Sequence, residues 1–256
     1  AAQLARPFIH LVSRVFFGIL LKSQLNFTRL IMKKLHGIKA LAFDAYGTVF
    51  DVHSVVDLAE KMFPGKGKEL SQLWRAKQIE YMYLRTIMGR YIPHNQNTEA
   101  GLTYSMKYLQ LPGGATERKA LMDAYEKLSP FNDARQTLPQ LSGIKKAILS
   151  VGTPALLKNL VTNAGIESQF DALLSVDEVK VYKPHPRTYQ LATDKFGLQR
   201  HEIGFVTSNY FDVAGAKAFG FQVIWINRNS ALPDELGLTP DAELSSIAQI
   251  PEILSN

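Results

Sequence analysis

The chain has 256 residues, of which 46% are apolar, 10% aromatic and 20% charged. That is the composition of a folded globular protein, and it excludes a disordered chain, a collagen-like repeat and a coiled coil. Cysteine is absent, which excludes a disulfide framework, a thiolate metal centre and a cysteine nucleophile, and fits a reducing compartment, here the cytoplasm.

The net charge of +6 is unevenly placed. Asp44 is the first carboxylate, and the bases before it are Arg6, Arg14, Lys22, Arg29, Lys33, Lys34 and Lys39. From Asp44 onward, 22 bases face 23 acids. The body is therefore near neutral, and no nucleic-acid partner is expected, because such a partner needs a basic folded face.

Residues 1–34 form a basic N-terminal arm. Its apolar stretch, 8–21, is broken by His10 and Arg14 and is too short and too charged to span a bilayer, so no membrane partner is expected. The arm reads as a targeting segment, a surface-lying helix, or sequence upstream of a native start at Met32.

From residue 38, short apolar runs alternate with helical patterns. Strands are expected at 38–43, 147–150, 172–174, 203–207 and 222–226. Most are continuous apolar runs, which suits strands buried on both faces of a parallel sheet. Helices are expected from Pro154 to Gly165, from Pro186 to Gly197, and from about Asp212 to Gly220. Each has Pro at its start or Gly at its end. This repetition predicts an α/β fold with a doubly wound, Rossmann-like parallel sheet. Between 51 and 130 no strand is expected, and 71–88, 98–109 and 116–128 read as amphipathic helices. The predicted division is a core of 35–50 and 131–256 with a helical cap subdomain, 51–130, inserted after the first strand.

Ligands of such sheets bind at the carboxyl ends of the strands. Asp44 directly follows the first strand there, and Gly47 permits a tight turn that aims backbone amides at an anion. Ser150 ends the second strand, Lys183 follows the third, and Thr207, Ser208, Asn209 and Asp212 follow the fourth. Helix capping or a solvated rim explains any one of these. One nucleophilic site explains the set. His53 is expected to serve the start of a helix rather than chemistry. Trp74, Tyr81 and Tyr83 line either an apolar pocket or the core.

Four stretches carry a resemblance: FDAYGTVFDVHSVV from Phe43, LWRAKQIEYMYLR from Leu73, SVDEVKVYKPHPRTYQLA from Ser175 and GFVTSNYFDVAGAKAFGFQVIWINR from Gly204. In these the sequence resembles the haloacid dehalogenase superfamily and, within it, the (S)-2-haloacid dehalogenases, over more than 200 residues. The resemblance implies hydrolysis of short (S)-2-haloacids to (R)-2-hydroxyacids, with halide as the second product and with no metal or cofactor. It implies that Asp44 attacks the α-carbon, that Thr48 and Lys183 orient it, and that Arg75 receives the halide. Ser150 and the amides of Ala45 and Tyr46 would hold the substrate carboxylate, and Tyr189 would be a pocket residue. Thr207, Asn209 and Asp212 would surround the hydrolytic step, with Asp212 the base, and Phe211 would line the halide cradle. Homodimers are common among such relatives.

Two positions matter for the alternatives. Phosphatases of the superfamily use magnesium and a second Asp that protonates the leaving group, and that position is Tyr46 here. The family usually has Ser-Asn-Gly after the second strand, whereas this chain has Ser150-Val151-Gly152. Val151 cannot donate a side-chain hydrogen bond, which leaves an impaired carboxylate-binding relative as a further reading.

Overall fold

A computed structural model describes residues 34–254. The arm therefore lies, save for Lys34, outside the described residues.

Six strands form one sheet: β1 Ala40–Phe43, β2 Lys145–Ser150, β3 Ala172–Ser175, β4 Ile203–Thr207, β5 Gln222–Ile226 and β6 Ala242–Leu244. Their order is β3-β2-β1-β4-β5-β6, and every pair is parallel. The chain runs outward from β1 to β3, then crosses back to β4 and runs outward again. The order thus reverses at β1, and the crevice at its carboxyl end is where open α/β sheets bind ligands.

Every residue of β1 and β4 is buried, as expected of central strands covered on both faces. One core cluster joins Ala42, Leu149, Phe205 and Trp225 of the sheet to Tyr189, Ala192, Val213 and Phe219 of the covering helices. Burying a side chain the size of Leu or Phe contributes about 1.5–3 kcal/mol, so a core of this extent holds the strand ends in fixed positions.

Nine helices lie among the described residues. Between β1 and β2 come α1 Val56–Met62, α2 Gly67–Ile87, α3 His94–Tyr108, α4 Ala115–Tyr125 and α5 Asn132–Thr137. Later come α6 Pro154–Asn163, α7 Pro186–Phe196, α8 Tyr210–Phe219 and α9 Ile250–Ile253. The terminators are those expected. Thr153 Oγ1 accepts from Leu156 N at 3.3 Å at the start of α6, and Gly197 and Gly220 close α7 and α8 with left-handed φ of 64° and 104°.

Several expectations shift: β1 begins at Ala40 rather than 38, β2 at Lys145 rather than 147, and α4 ends at Tyr125 rather than 128. Helix α2 starts at Gly67, four residues before the predicted 71, because Glu60 Oε2 accepts from Gly67 N at 2.8 Å and caps it. Helix α3 starts at His94 rather than 98, directly after Pro93. Strand β6 was not expected. It has three residues on the sheet edge, one of them an exposed Glu243, and no apolar run announces it.

Candidate active site

Asp44 leaves β1 with its own N–H bound to Val206 O of β4 at 2.9 Å, so the strand pairing fixes its backbone. The residue is 4% exposed, and its side chain makes three hydrogen bonds. Oδ2 accepts from Thr48 Oγ1 at 3.0 Å and from Asn209 Nδ2 at 2.8 Å, and Oδ1 accepts from Lys183 Nζ at 3.0 Å. The turn 44–48 has a consistent logic. Gly47 adopts φ 87°, and the Ala45 carbonyl accepts from Thr48, Val49 and Phe50. Among the described residues, neither the Ala45 N–H nor the Tyr46 N–H donates, so this turn keeps two free amides beside the carboxylate.

Lys183 is 1% exposed and ties two carboxylates together, with Nζ 3.0 Å from Asp44 Oδ1 and 2.8 Å from Asp212 Oδ2. Burial works against its charge, but Asp212 and Asp44 outweigh burial and raise its pKa. Asp212 is fully buried in the first turn of α8. Burial, reinforced by Asp44 and opposed by Lys183, pushes its carboxyl up to about 6. Its second oxygen accepts from Tyr189 Oη at 2.6 Å.

Arg75 comes from α2 and reaches the same place from outside the sheet. Its Nη2 donates to Asn209 Oδ1 at 3.2 Å and Tyr46 O at 3.4 Å, and Nη1 to Gln78 Oε1 at 3.5 Å. Asn209 is thus the link between the two sides: its amide nitrogen holds Asp44 and its oxygen holds Arg75.

The structure brings Asp44, Thr48, Arg75, Lys183, Asn209 and Asp212 into one connected network. Four other predicted residues sit at its margin. Ser150 is buried at the end of β2, where its Oγ accepts from Gly152 N at 3.3 Å. Thr207 Oγ1 accepts from Asn209 N at 3.1 Å and holds the turn into α8. Tyr189, expected as a pocket residue, is wholly buried against Phe205, Phe219 and Phe221, with only its hydroxyl turned to Asp212. Phe211 packs edge-on against Tyr83, ring centroids 5.6 Å apart, and lines an apolar cavity of about 660 Å³ that also touches Lys183. Arg75 lines a neighbouring cavity of about 450 Å³ together with Asn209.

Of the ambivalent residues, Trp74 is core, 2% exposed, with its indole N–H on Thr98 O at 2.8 Å. Tyr81 and Tyr83 are half-buried. His53 Nδ1 lies 2.8 Å from Ser71 Oγ and so ties the start of α1 to α2.

Sequence reading passed over Gln78 and His94. Both are fully buried, and among the described residues Gln78 Nε2 and His94 Nδ1 have no hydrogen-bond partner; neither has the hydroxyl of Tyr46. The rings of Tyr46 and His94 are 5.0 Å apart, and Gln78 Oε1 accepts from Tyr125 Oη at 3.1 Å. Burial and the Arg75 charge push His94 down to about 3, so it is neutral at physiological pH. The only signal for Gln78 is its spacing of three from Arg75, which sets both on one helix face.

A buried carboxylate at the switch point of a parallel sheet, held by a hydroxyl, an amide and an ammonium, is an arrangement suited to an aspartate nucleophile. The profile of the haloacid dehalogenase-like hydrolases matches residues 38–220, and the chain belongs to this family. It is similar to an (S)-2-haloacid dehalogenase of Pseudomonas sp. strain YL, at 47% identity over 218 residues, 84% of this chain and 94% of that enzyme. It is also similar to haloacetate dehalogenase H-2 of Moraxella sp. strain B, at 49% identity over 212 residues, 82% of this chain and 93% of that enzyme. Among solved structures, the L-2-haloacid dehalogenase of Xanthobacter autotrophicus with chloropropionic acid covalently bound aligns with a TM-score of 0.79. Its identity is 39%, over 84% of this chain and 97% of that one.

Proposed function

We propose that this chain hydrolyses short-chain (S)-2-haloalkanoic acids to (R)-2-hydroxyacids with inversion, through an aspartyl ester on Asp44 and without a metal. The observation that carries the reading is the set of bonds at Asp44. Oδ2 accepts two hydrogen bonds and Oδ1 one, so Oδ1 keeps a lone pair free to attack. Out of bulk water and aligned with the carbon–halogen bond, that oxygen displaces halide from the α-carbon and inverts it. Arg75 meets the departing halide with a permanent charge, and no proton is needed. The free amides of Ala45 and Tyr46, with Ser150, receive the substrate carboxylate.

The ester that forms has Oδ2 as its carbonyl oxygen. Thr48 Oγ1 and Asn209 Nδ2 already donate to that atom. They become the donors that stabilise the tetrahedral oxyanion when water attacks the ester carbon. Asp212, held by Tyr189 and Lys183, takes the proton from that water, and as the bond between the ester carbon and Oδ1 breaks the proton passes to the departing oxygen, which becomes the hydroxyl of the product. The carbon–oxygen bond to the substrate α-carbon is not touched in this step, so the inversion survives.

Lys183 supplies the positive charge between the two carboxylates, which supports a site that runs without magnesium. Tyr46, its buried phenol raised well above its ordinary pKa, stands where a phosphatase needs an acid, which favours halide over alkoxide as the leaving group. We further infer that residues 51–130 act as a cap on a core of 35–50 and 131–256, since α2 contributes Arg75 to a site otherwise built by the sheet.

We also take the protein to work in the cytoplasm on a free acid, with no nucleic acid or membrane as partner. No described helix is long and apolar enough to cross a membrane. Leu84, Ile87 and Met88 expose apolar surface at the end of α2, which supports a homodimer; sedimentation of the purified protein tests it.

The test of the reaction is incubation with (S)-2-chloropropionate in EDTA, followed by chloride and chiral lactate assays. The expected result is equal chloride and (R)-lactate. A strict magnesium requirement, or (S)-lactate, contradicts the proposal.

A further inference from the structure

The residue before Lys183, Tyr182, is wholly buried and gives both of its hydrogen-bond donors to the segment 51–130. Its backbone N–H goes to Thr86 Oγ1 at 3.1 Å and its Oη to Ile92 O at 2.7 Å. We propose that Tyr182, anchored by Thr86, is a positioning residue for the reaction, and that the seat of the Lys183 ammonium between Asp44 and Asp212 depends on the docking of the cap helix α2. The inference rests on the hydrolysis and the cap proposed above, and it assigns a part to two residues outside the Asp44 network.

Thr86 follows Arg75 on α2 by eleven positions. That is close to three full turns, about 16 Å of helix, so both side chains leave the same face. Arg75 meets the core at Asn209 Oδ1 and Tyr46 O, and Thr86 meets it at Tyr182 N. One helix thus holds two parts of the site: the charge assigned to the halide and the loop that carries the ammonium.

Further contacts tie the same loop to the same segment. Tyr91 Oη donates to Asp177 Oδ1 at 2.9 Å, and the Tyr91 and Tyr182 rings lie 4.9 Å apart. Within the loop His185 N donates to Tyr182 O at 3.0 Å, so a shift of Tyr182 carries the turn 182–185, and Lys183, with it. Lys183 has little room to compensate. Its side chain is 1% exposed, with Nζ already 3.0 Å from Asp44 Oδ1 and 2.8 Å from Asp212 Oδ2. A displaced backbone therefore lengthens at least one of these bonds. Asp212 reports it. Around that carboxyl stand the Lys183 ammonium, the Asp44 carboxylate and the Tyr189 hydroxyl, and the Tyr83 phenol of α2 feels its charge. Lys183 is the cation among them, so its retreat lets the Asp212 pKa climb.

The test uses the full chain. Thr86→Val keeps the shape of the side chain and removes its acceptor. The proposal predicts kcat for (S)-2-chloropropionate about fivefold lower, the loss of one neutral hydrogen bond expressed in turnover, with KM unchanged and the acid limb of kcat moved to higher pH. Thr86→Ser restores Oγ and with it both values. Tyr182→Phe keeps the ring and the backbone bond to Thr86, and moves the limb the same way by less. A merely structural Thr86 lowers the melting temperature and leaves the limb in place. An acid limb that stays put in both Thr86→Val and Tyr182→Phe overturns the proposal. Amide hydrogen exchange over residues 179–188 needs no turnover. It is expected to speed up in Thr86→Val and to return in Thr86→Ser, and an unchanged rate also overturns the proposal. Wild-type protein that releases no halide yet shows this exchange pattern leaves the docking of the Lys183 loop standing and removes the hydrolysis reading instead.

Discussion

Lys183 Nζ stands 2.8 Å from Asp212 Oδ2, and the two side chains are 1% and 0% exposed. An ion pair at that depth is costly to form and strongly felt when broken. It is retained beside a second carboxylate, Asp44, which the same ammonium also holds. The arrangement makes chemical sense when one carboxylate is consumed as a nucleophile and the other must stay ionised to activate water.

The pH profile follows from Asp212. Burial pushes its pKa up to about 6, and as a base it must be ionised. Ester hydrolysis therefore falls as the pH drops through about 6. On the alkaline side Lys183, raised by its carboxylates, stays charged. The check is kcat against pH from 4.5 to 9. Asp212→Asn is expected to remove the acid limb and to lower turnover by about 10²–10⁴, the range for losing a general base.

Lys183→Met removes the shared cation and leaves two buried carboxylates unpaired. Breaking a buried ion pair from one side costs about 3–5 kcal/mol. The sign of its pH dependence is fixed. Without Lys183 the buried Asp212 carboxyl favours its protonated form still more, so the deficit is larger at pH 8 than at pH 5. Urea unfolding of wild type and variant at both values measures it.

Arg75→Lys keeps the charge but not the fork. A lysine cannot reach Asn209 Oδ1, Tyr46 O and Gln78 Oε1 together. Losing a donor to a charged leaving group lowers turnover by roughly one to two orders of magnitude. The expected signature is a greater loss with chloro- than with bromo-substrates, read as the ratio of kcat values.

Val151 is 5% exposed, directly after β2, and donates nothing from its side chain. Val151→Asn restores an amide at that turn and is expected to raise turnover by about tenfold, one hydrogen bond to an anion. Unchanged turnover means that the halide does not visit that end of the strand.

Much of this fold is legible in the sequence. The continuous apolar runs marked β1 to β5, because a strand covered on both faces has no polar alternation to disguise it. Asp44, Lys183 and Asp212 were legible because each follows a strand at the same sheet edge. Strand β6 was not, since a three-residue edge strand with Glu at its centre resembles a loop. The start of α2 was missed because its cap comes from Glu60 on another helix, a contact with no local signature. The link through Asn209 joins residues 134 positions apart, and no spacing rule reaches that far. Tyr189 illustrates a different limit: the residue was found, but only the fold shows that its hydroxyl serves Asp212.

The most direct measurement is a single turnover in H₂¹⁸O with protein in excess over (S)-2-chloropropionate, followed by mass spectrometry of the peptide that contains Asp44. Attack by Oδ1 and hydrolysis at the ester carbon predict one ¹⁸O in the Asp44 carboxylate and unlabelled lactate. Labelled lactate with an unlabelled Asp44 contradicts the account, since water would then have struck the substrate itself.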